Sequence, residues 1–276
     1  MNRRYIIIAA SSILAISAVF LFYRMIVKPL DLKSTAGINI NTDEKSLLLE
    51  RAKKALDAGD LLKAKGLYQR AVENFPNSDD ILNIQEALEN TNVKLLFSPI
   101  ITPDSVHYEI QKGDTLTRIA KKFNTTVELI TKANNLTKTT IVVGRKLKIS
   151  KALFGIVVDR SQNILTLKAD GNIVKTYRVS TGKNSCTPTG TLKITNKVID
   201  PPWYPSGGGV IAAGDPRNIL GSRWLGLSKA GYGIHGTTLP ESIGKSVTDG
   251  CIRLKNSDVE ELYAIVSEGT EVVIVE

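Results

Sequence analysis

The stretch from Gly233 to Leu254, GIHGTTLPESIGKSVTDGCIRL, is broken by Gly236, Pro240, Gly244 and Gly250. Glycine and proline at that density forbid one continuous helix, because proline lacks the amide donor and glycine costs too much backbone entropy. His235 and Cys251, at its two ends, therefore meet through tertiary folding or not at all. The pair matters because a cysteine is a nucleophile only as thiolate, and an imidazole is the side chain that takes its proton near neutral pH. Gly250, just before the cysteine, permits a bend whose successive N–H groups can face a developing oxyanion. Arg253 adds a fixed positive charge. The competing reading is that Cys251 is a small buried hydrophobe and His235 an ordinary hydrogen-bonded core residue.

From Phe154 on, the apolar residues alternate. Ile156-Val157-Val158, Leu165-Thr166-Leu167 and Ile173 to Val179 predict strands, with turns at Ser161-Gln162-Asn163 and Asp170-Gly171-Asn172. Thr191 to Val198 and Val272 to Val275 add further strands. Ser257 and Glu260 have the spacing of a capping box for one helix over 258–266. The Pro/Gly-rich loop 201–214 carries Trp203 and Tyr204 and is a candidate cover for the site.

In this region the chain resembles the YkuD-type L,D-transpeptidases of bacterial cell walls. The resemblance rests on His235-Gly236 followed by Thr248-Asp249-Gly250-Cys251-Ile252-Arg253. It extends to Ser180-Thr181-Gly182-Lys183, Thr187-Pro188-Thr189-Gly190-Thr191, Asp215-Pro216-Arg217-Asn218, Leu220-Gly221 and Trp224-Leu225-Gly226-Leu227. It implies an all-β catalytic domain over residues 153–276 that cross-links peptidoglycan stem peptides by acyl transfer with release of D-alanine. It makes Cys251 the nucleophile, His235 the base, and the Gly236 carbonyl the group that orients the imidazole. Asp249, Gly250 and Cys251 are implied as backbone donors, and Thr248 and Arg253 as substrate-side residues. Many members carry histidine where this chain has Asp249. L,D-carboxypeptidase activity, attachment of a protein to the wall, and a silent wall-binding anchor are the alternative functions.

Residues 105–150 form a second block, read as strand, helix, helix, strand. Tyr108 and Ile110 alternate, Leu116, Ile119, Ala120 and Phe123 recur at helical spacing, and Thr125 with Glu128 predicts a cap. The block resembles the LysM glycan-binding module through Tyr108-x-Ile110, Lys112-Gly113-Asp114-Thr115-Leu116, Asn134-Asn135 and Gly144. That resemblance implies glycan contacts from Gly113, Asp114, Thr115, Leu116, Asn134 and Asn135. The plain alternative for Gly113-Asp114-Thr115 is a turn into a capped helix. His107, the only other histidine, is expected on the surface.

Tyr5 to Tyr23 is an uncharged run of about the length that spans a bilayer, with Arg3 and Arg4 before it and Arg24 and Lys28 after it. A membrane anchor over residues 1–30 is expected, with a cleaved signal peptide as its rival. The wall-enzyme resemblance implies that all beyond Lys28 faces outward in the cell envelope. Residues 31–98 comprise a polar linker and a helical segment with breaks at Gly59-Asp60 and Pro76-Asn77-Ser78, Ser78 being the expected cap of the third helix. Its spacing resembles one tetratricopeptide unit, and about three such units are needed to bury a solenoid core. Its protein partner, if any, is not encoded in a readable motif.

The net charge of +9 over 276 residues concentrates next to the apolar run and in residues 101–150. Such a basic block suits anionic polymers or lipid surfaces. With the chain expected to face outward, no nucleic-acid partner is expected. No cluster has metal-ligand spacing, so neither metal nor cofactor is expected. With two cysteines, Cys186 and Cys251, there is no disulfide framework.

Overall fold

The computed structural model describes residues 40–205 and 207–276. The expected anchor and the first part of the linker lie outside the described residues. Among the described residues, no helix is long and apolar enough to cross a membrane.

Three helices come first: α1 (Ile40–Asp57), α2 (Leu61–Asn74) and α3 (Ile81–Leu96). Gly59, at φ +77, turns the chain between α1 and α2, and the Asp60 carboxylate caps α2 by accepting from Lys63 N at 3.2 Å. Ala52, Ala55, Ala64, Tyr68, Ala71 and Ile84 fill the small core between them. The cap of α3 is Asp80 and not Ser78. Lys45 explains the difference: its ammonium sits 2.8 Å from both Ser78 Oγ and Asp80 Oδ1, and the Ser78 hydroxyl turns to that same carboxylate.

A lone helical unit lacks enough apolar surface, and α3 finds the remainder in the C-terminal domain. Val93 is buried in that domain's core, with Leu96 and Phe97 packed against it. Glu89 accepts from Thr176 N and Oγ1, and Asn92 Nδ2 donates to Val174 O. These side chains meet the polar backbone of an edge strand that would otherwise lie open to pairing.

The βααβ block follows as β1 (Ser105–Glu109), α4 (Leu116–Lys122), α5 (Val127–Ala133) and β2 (Lys146–Ser150). β1 and β2 pair antiparallel with Tyr108 opposite Leu147. Ile110, Leu116, Ile119, Ala120, Ile130, Leu147 and Ile149 make its core. Thr115 caps α4 as expected, accepting from Arg118 N. The cap of α5 is Thr126, one residue later than expected, accepting from Leu129 N at 2.8 Å. Thr126 is selected because its O–H also donates to Ala264 O in the last helix. The Thr125 hydroxyl is left buried without a partner among the described residues.

The remainder is β3 (Phe154–Asp159), β4 (Ile164–Ala169), β5 (Asn172–Arg178), β6 (Thr181–Gly182), β7 (Gly190–Ile199), β8 (Arg223–Leu227), β9 (Gly233–His235), β10 (Ser246–Thr248), β11 (Ile252–Arg253), α6 (Asn256–Ile265) and β12 (Glu271–Val275). Eight strands form one sheet in the order β11-β9-β8-β7-β12-β3-β4-β5, and β6 pairs with β10 beside it. Helix α6 buries Val259, Leu262, Tyr263, Ala264 and Ile265. It begins at Asn256, and the predicted Ser257/Glu260 capping box does not form. The Ser257 hydroxyl turns to Asp258, while Asn256 Oδ1 accepts from Ser222 N and Thr237 N in the adjoining loops.

Candidate active site

The breakers between Gly233 and Leu254 return the chain to the sheet edge, so that β11 lies parallel to β9 with Arg253 level with His235. On the other side of β9, Trp224 of β8 is level with His235. Successive strand residues alternate faces, so Arg253, His235 and Trp224 form one row. The row before it holds Gly226 and Gly233, with Cys251 at its end. The nucleophile candidate thus immediately precedes β11, the strand that lies beside the base candidate's strand.

Trp224 stacks on the imidazole at 5.8 Å between ring centroids and 20° between planes. Its ring also covers Gly233, where a Cβ would collide with it. The bare glycine is what lets the indole lie flat beside His235.

His235 is only 2% exposed, and its Nδ1 lies 2.7 Å from Gly236 O. A carbonyl can only accept, so Nδ1 carries the proton and Nε2 keeps the lone pair. Burial pushes the imidazole down to about 4; the Gly236 and Leu220 carbonyls oppose that shift and the Arg253 charge adds to it. The ring is a neutral base at pH 7. Cys251 is half-buried, its Sγ 3.7 Å from Gly231 O. Burial raises its thiol above the ordinary value, while the Gly233 N–H and the Arg253 charge work against the rise. At neutral pH the resting pair is therefore thiol and neutral imidazole.

Arg253 is itself buried; its Nη1 donates to Ser242 Oγ at 3.1 Å and its backbone bridges Ser180. It ties the 240–242 turn to the sheet while charging the site from below. The Asp249 side chain is exposed and paired with Lys183 at 2.8 Å. Cys186 is exposed, and its Sγ reaches Thr248 O at 3.7 Å.

The bend at Gly250 has φ +121, and a Cβ there would stand 2.5 Å from the Tyr232 ring, so only glycine fits. The Gly250 N–H donates to Thr248 Oγ1 at 3.2 Å, and that hydroxyl donates to Cys251 O at 2.6 Å. The Gly250 amide is thus turned away from an incoming carbonyl. No acceptor among the described residues takes the Cys251 N–H.

A cleft of about 550 Å³ opens on Cys251, walled by Trp203, Tyr204, Trp224, Leu220 and Gly231. The 201–214 loop does therefore face the site. Trp203 and Ile211 exchange backbone hydrogen bonds of 2.8 Å, and the buried Asn218 amide donates to Pro201 O, Ile211 O and Ala212 O. Sequence reasoning quoted Asn218 and Trp224 as motif residues without a role. An asparagine among loop residues is the one signal that could have marked the first.

In the βααβ block, three of the six expected glycan residues are engaged by the block itself. Leu116 is core, Asp114 accepts from Tyr108 Oη and Gln111 N, and Asn134 clasps β2 by accepting from Lys148 N and donating to Lys148 O. Gly113, Thr115 and Asn135 are exposed, and so is His107.

Residues 154–274 match the YkuD L,D-transpeptidase catalytic domain and residues 108–150 the LysM domain. The chain is similar to the putative L,D-transpeptidase YkuD of Bacillus subtilis, 37% identical over 174 residues, which cover 60% of this chain and 97% of that protein. It is also similar to the putative L,D-transpeptidase YqjB of the same organism, 38% identical over 125 residues, covering 43% of this chain and 69% of that protein. Among solved structures, an L,D-transpeptidase from Mycobacterium smegmatis aligns with a TM-score of 0.40 at 21% identity, covering 49% of this chain and 65% of that one. With nearly the whole of the Bacillus YkuD relative spanned at that identity, the chain belongs to the YkuD-type L,D-transpeptidase family.

Proposed function

We propose that this chain cross-links peptidoglycan through a cysteine acyl-enzyme. The reading is supported by Cys251 opening on an aromatic cleft just before β11, whose parallel neighbour β9 carries the buried, Nδ1-protonated His235. His235 Nε2 takes the thiol proton as Sγ bonds to the carbonyl carbon between the third stem residue and the terminal D-alanine. The carbonyl oxygen gains the electron pair and meets the Cys251 N–H. Collapse re-forms the carbonyl, breaks the C–N bond and sends the proton from Nε2 to the departing D-alanine amine. An amine from a neighbouring stem then attacks the thioester, and its proton returns to the sulfur through His235.

The LysM-like block holds the glycan strand through its exposed positions Gly113, Thr115 and Asn135, and residues 1–30 anchor the chain with the rest outside the cytoplasm. A reporter fusion at the C-terminus that reads as cytoplasmic overturns that topology.

The test is mass spectrometry of peptidoglycan incubated with the full chain. Cross-linked stems with loss of D-alanine are expected, whereas trimmed stems without cross-links convert the reading to carboxypeptidase. Cys251→Ser and His235→Ala should each lose about 10²-fold or more in turnover. Cross-linking retained by either variant removes that residue from the mechanism.

A further inference from the structure

Thr187 does not line the cleft and makes no hydrogen bond to the side chain of Cys251 or His235 among the described residues, yet it is 1% exposed and its hydroxyl is fully engaged. Oγ1 accepts from Gly182 N at 2.7 Å and donates to Gly250 O at 3.0 Å. Its backbone is held too, since Arg160 Nη1 donates to Thr187 O and Ser185 O, each at 2.7 Å, and Arg160 is paired with Glu276. Gly182 sits where a Cβ would come within 2.6 Å of Thr187 N and 3.0 Å of Gly250 Cα. The hydroxyl therefore works in a space with no slack.

The carbonyl it grips belongs to the peptide unit that joins Gly250 to Cys251. That unit is planar and trans, so its C=O and N–H point in opposite directions. Fixing Gly250 O on one side fixes the aim of the Cys251 N–H on the other. This amide has no acceptor among the described residues, whereas Thr248 takes the Gly250 N–H. Gly250 has the widest backbone freedom of any residue type, so without an external hold this peptide plane is the part of the bend most able to rotate.

We propose that Thr187 is a positioning residue that aims the Cys251 N–H at the oxyanion of the acyl-transfer step. The inference rests on the cysteine acyl-enzyme reading. It assigns the hydroxyl a role separate from thiol reactivity, because rotating the 250–251 plane moves an oxyanion donor while leaving Sγ, Gly231 and His235 in place.

Two reagents separate the two effects on the full chain. Iodoacetamide alkylates Cys251 by displacement at a saturated carbon and forms no oxyanion, so it reports thiol access and basicity. A carbapenem acylates the same sulfur through a tetrahedral oxyanion. Thr187→Val keeps the shape and removes the hydroxyl; Thr187→Ser keeps the hydroxyl. The expected result for Thr187→Val is an acylation rate lower by about tenfold or more, below the 10²–10³ seen when a donor is deleted outright, with alkylation of Cys251 changed by less than about twofold. Thr187→Ser should restore most of the acylation rate.

The proposal is overturned if both reactions fall together, which would mark a structural role, or if neither falls. It is equally overturned if serine fails to rescue while its thermal midpoint matches the parent. Failure of the underlying reading looks different: the unmodified chain would be alkylated at Cys251 but not acylated by the carbapenem. If Thr187→Val does not fold, Gly182→Ala, which pushes against the same hydroxyl loop, supplies the acylation-to-alkylation ratio instead.

Discussion

His235 gives the sharpest link between site chemistry and stability. Its ordinary value of 6.5 is pushed down to about 4 by burial. In the unfolded chain the ring protonates as pH falls through 6.5, while in the folded chain it stays neutral until about 4. Between those values the unfolded state holds one more proton, so the contribution of this residue to stability falls with falling pH, by at most about 1.4 kcal/mol per pH unit. Over the whole window the loss amounts to about 3 kcal/mol, and it levels off below about 4, where both states are protonated. The carboxylates of Asp114 and Asp249, also held below their ordinary range, titrate nearby and would mask the effect in the parent alone. A His235→Gln chain keeps them, so the difference between parent and variant isolates the imidazole. Denaturant titrations followed by tryptophan fluorescence from pH 7.5 to 3.5 should give a difference curve that is flat above 7 and descends between 6.5 and 4. A difference that stays constant to within about 0.5 kcal/mol across that window refutes the claim that the ring is buried neutral. The same neutrality has a kinetic face: carbapenem acylation should keep its rate as pH falls from 7 to about 5, where an unperturbed imidazole would already be mostly protonated.

Two further outcomes follow from packing. Gly233→Ala puts a methyl group into the Trp224 ring, and overpacking of that kind costs about 1–3 kcal/mol; a lower thermal midpoint together with slower acylation is expected, and a parent-like midpoint with parent-like rate would contradict the stacked arrangement. Lys148→Met removes an ammonium that donates to Leu95 O at 2.6 Å and Ser98 O at 2.9 Å. Leaving those carbonyls unpaired should cost about 1–2 kcal/mol, the relief of a partly desolvated charge offsetting part of the loss, and a denaturant midpoint unchanged from the parent would show that the contact is not formed in solution.

Much of this architecture could be read in the sequence, for a definable reason. Strands β3, β4 and β5 declared themselves because Ile156/Val158, Leu165/Leu167 and Val174 alternate with residues facing outward. The return of the chain after Gly250 to lie beside the strand of His235 was legible because breakers left the intervening chain few options. Three helix caps were misread. Lys45 drew Ser78 and Asp80 together, Ala264 O selected Thr126 over Thr125, and Asn256 was claimed by Ser222 and Thr237. For Ser78 and Thr125 a partner distant in sequence outbid the local motif, and no window of neighbouring residues contains that partner, whereas Ser257 was diverted by its own neighbour Asp258. Asn134 illustrates the same limit at a candidate binding position: an exposed-looking asparagine after a helix is equally suited to a ligand and to the backbone of β2. The role of Thr248 was likewise hidden, because its spacing before Gly-Cys says nothing of whether its hydroxyl faces the substrate or the Gly250 amide.

The joints between these parts follow from the chemistry of helix ends. The last four carbonyls of an α-helix have no partner within the helix, and two helices of this chain have that lack met by other parts of the fold. At the end of α3, Lys148 of the βααβ block reaches Leu95 O and Ser98 O. At the end of α6, Thr126 of the same block donates to Ala264 O, and Lys197 of β7 donates to Tyr263 O and Val266 O. Cations are also favoured there by the helix dipole, which is why an ammonium can be tolerated in so enclosed a place; burial pushes both lysines down to about 8, still charged at neutral pH. Withdrawing the βααβ block would leave carbonyls of both helices unpaired at once, so it cannot swing away without a penalty at two places. A block fixed in this way holds its exposed loop at a set distance and direction from Cys251. If that loop grips a glycan strand, the stem presented to the cleft is selected by geometry along the strand as well as by contacts within the cleft.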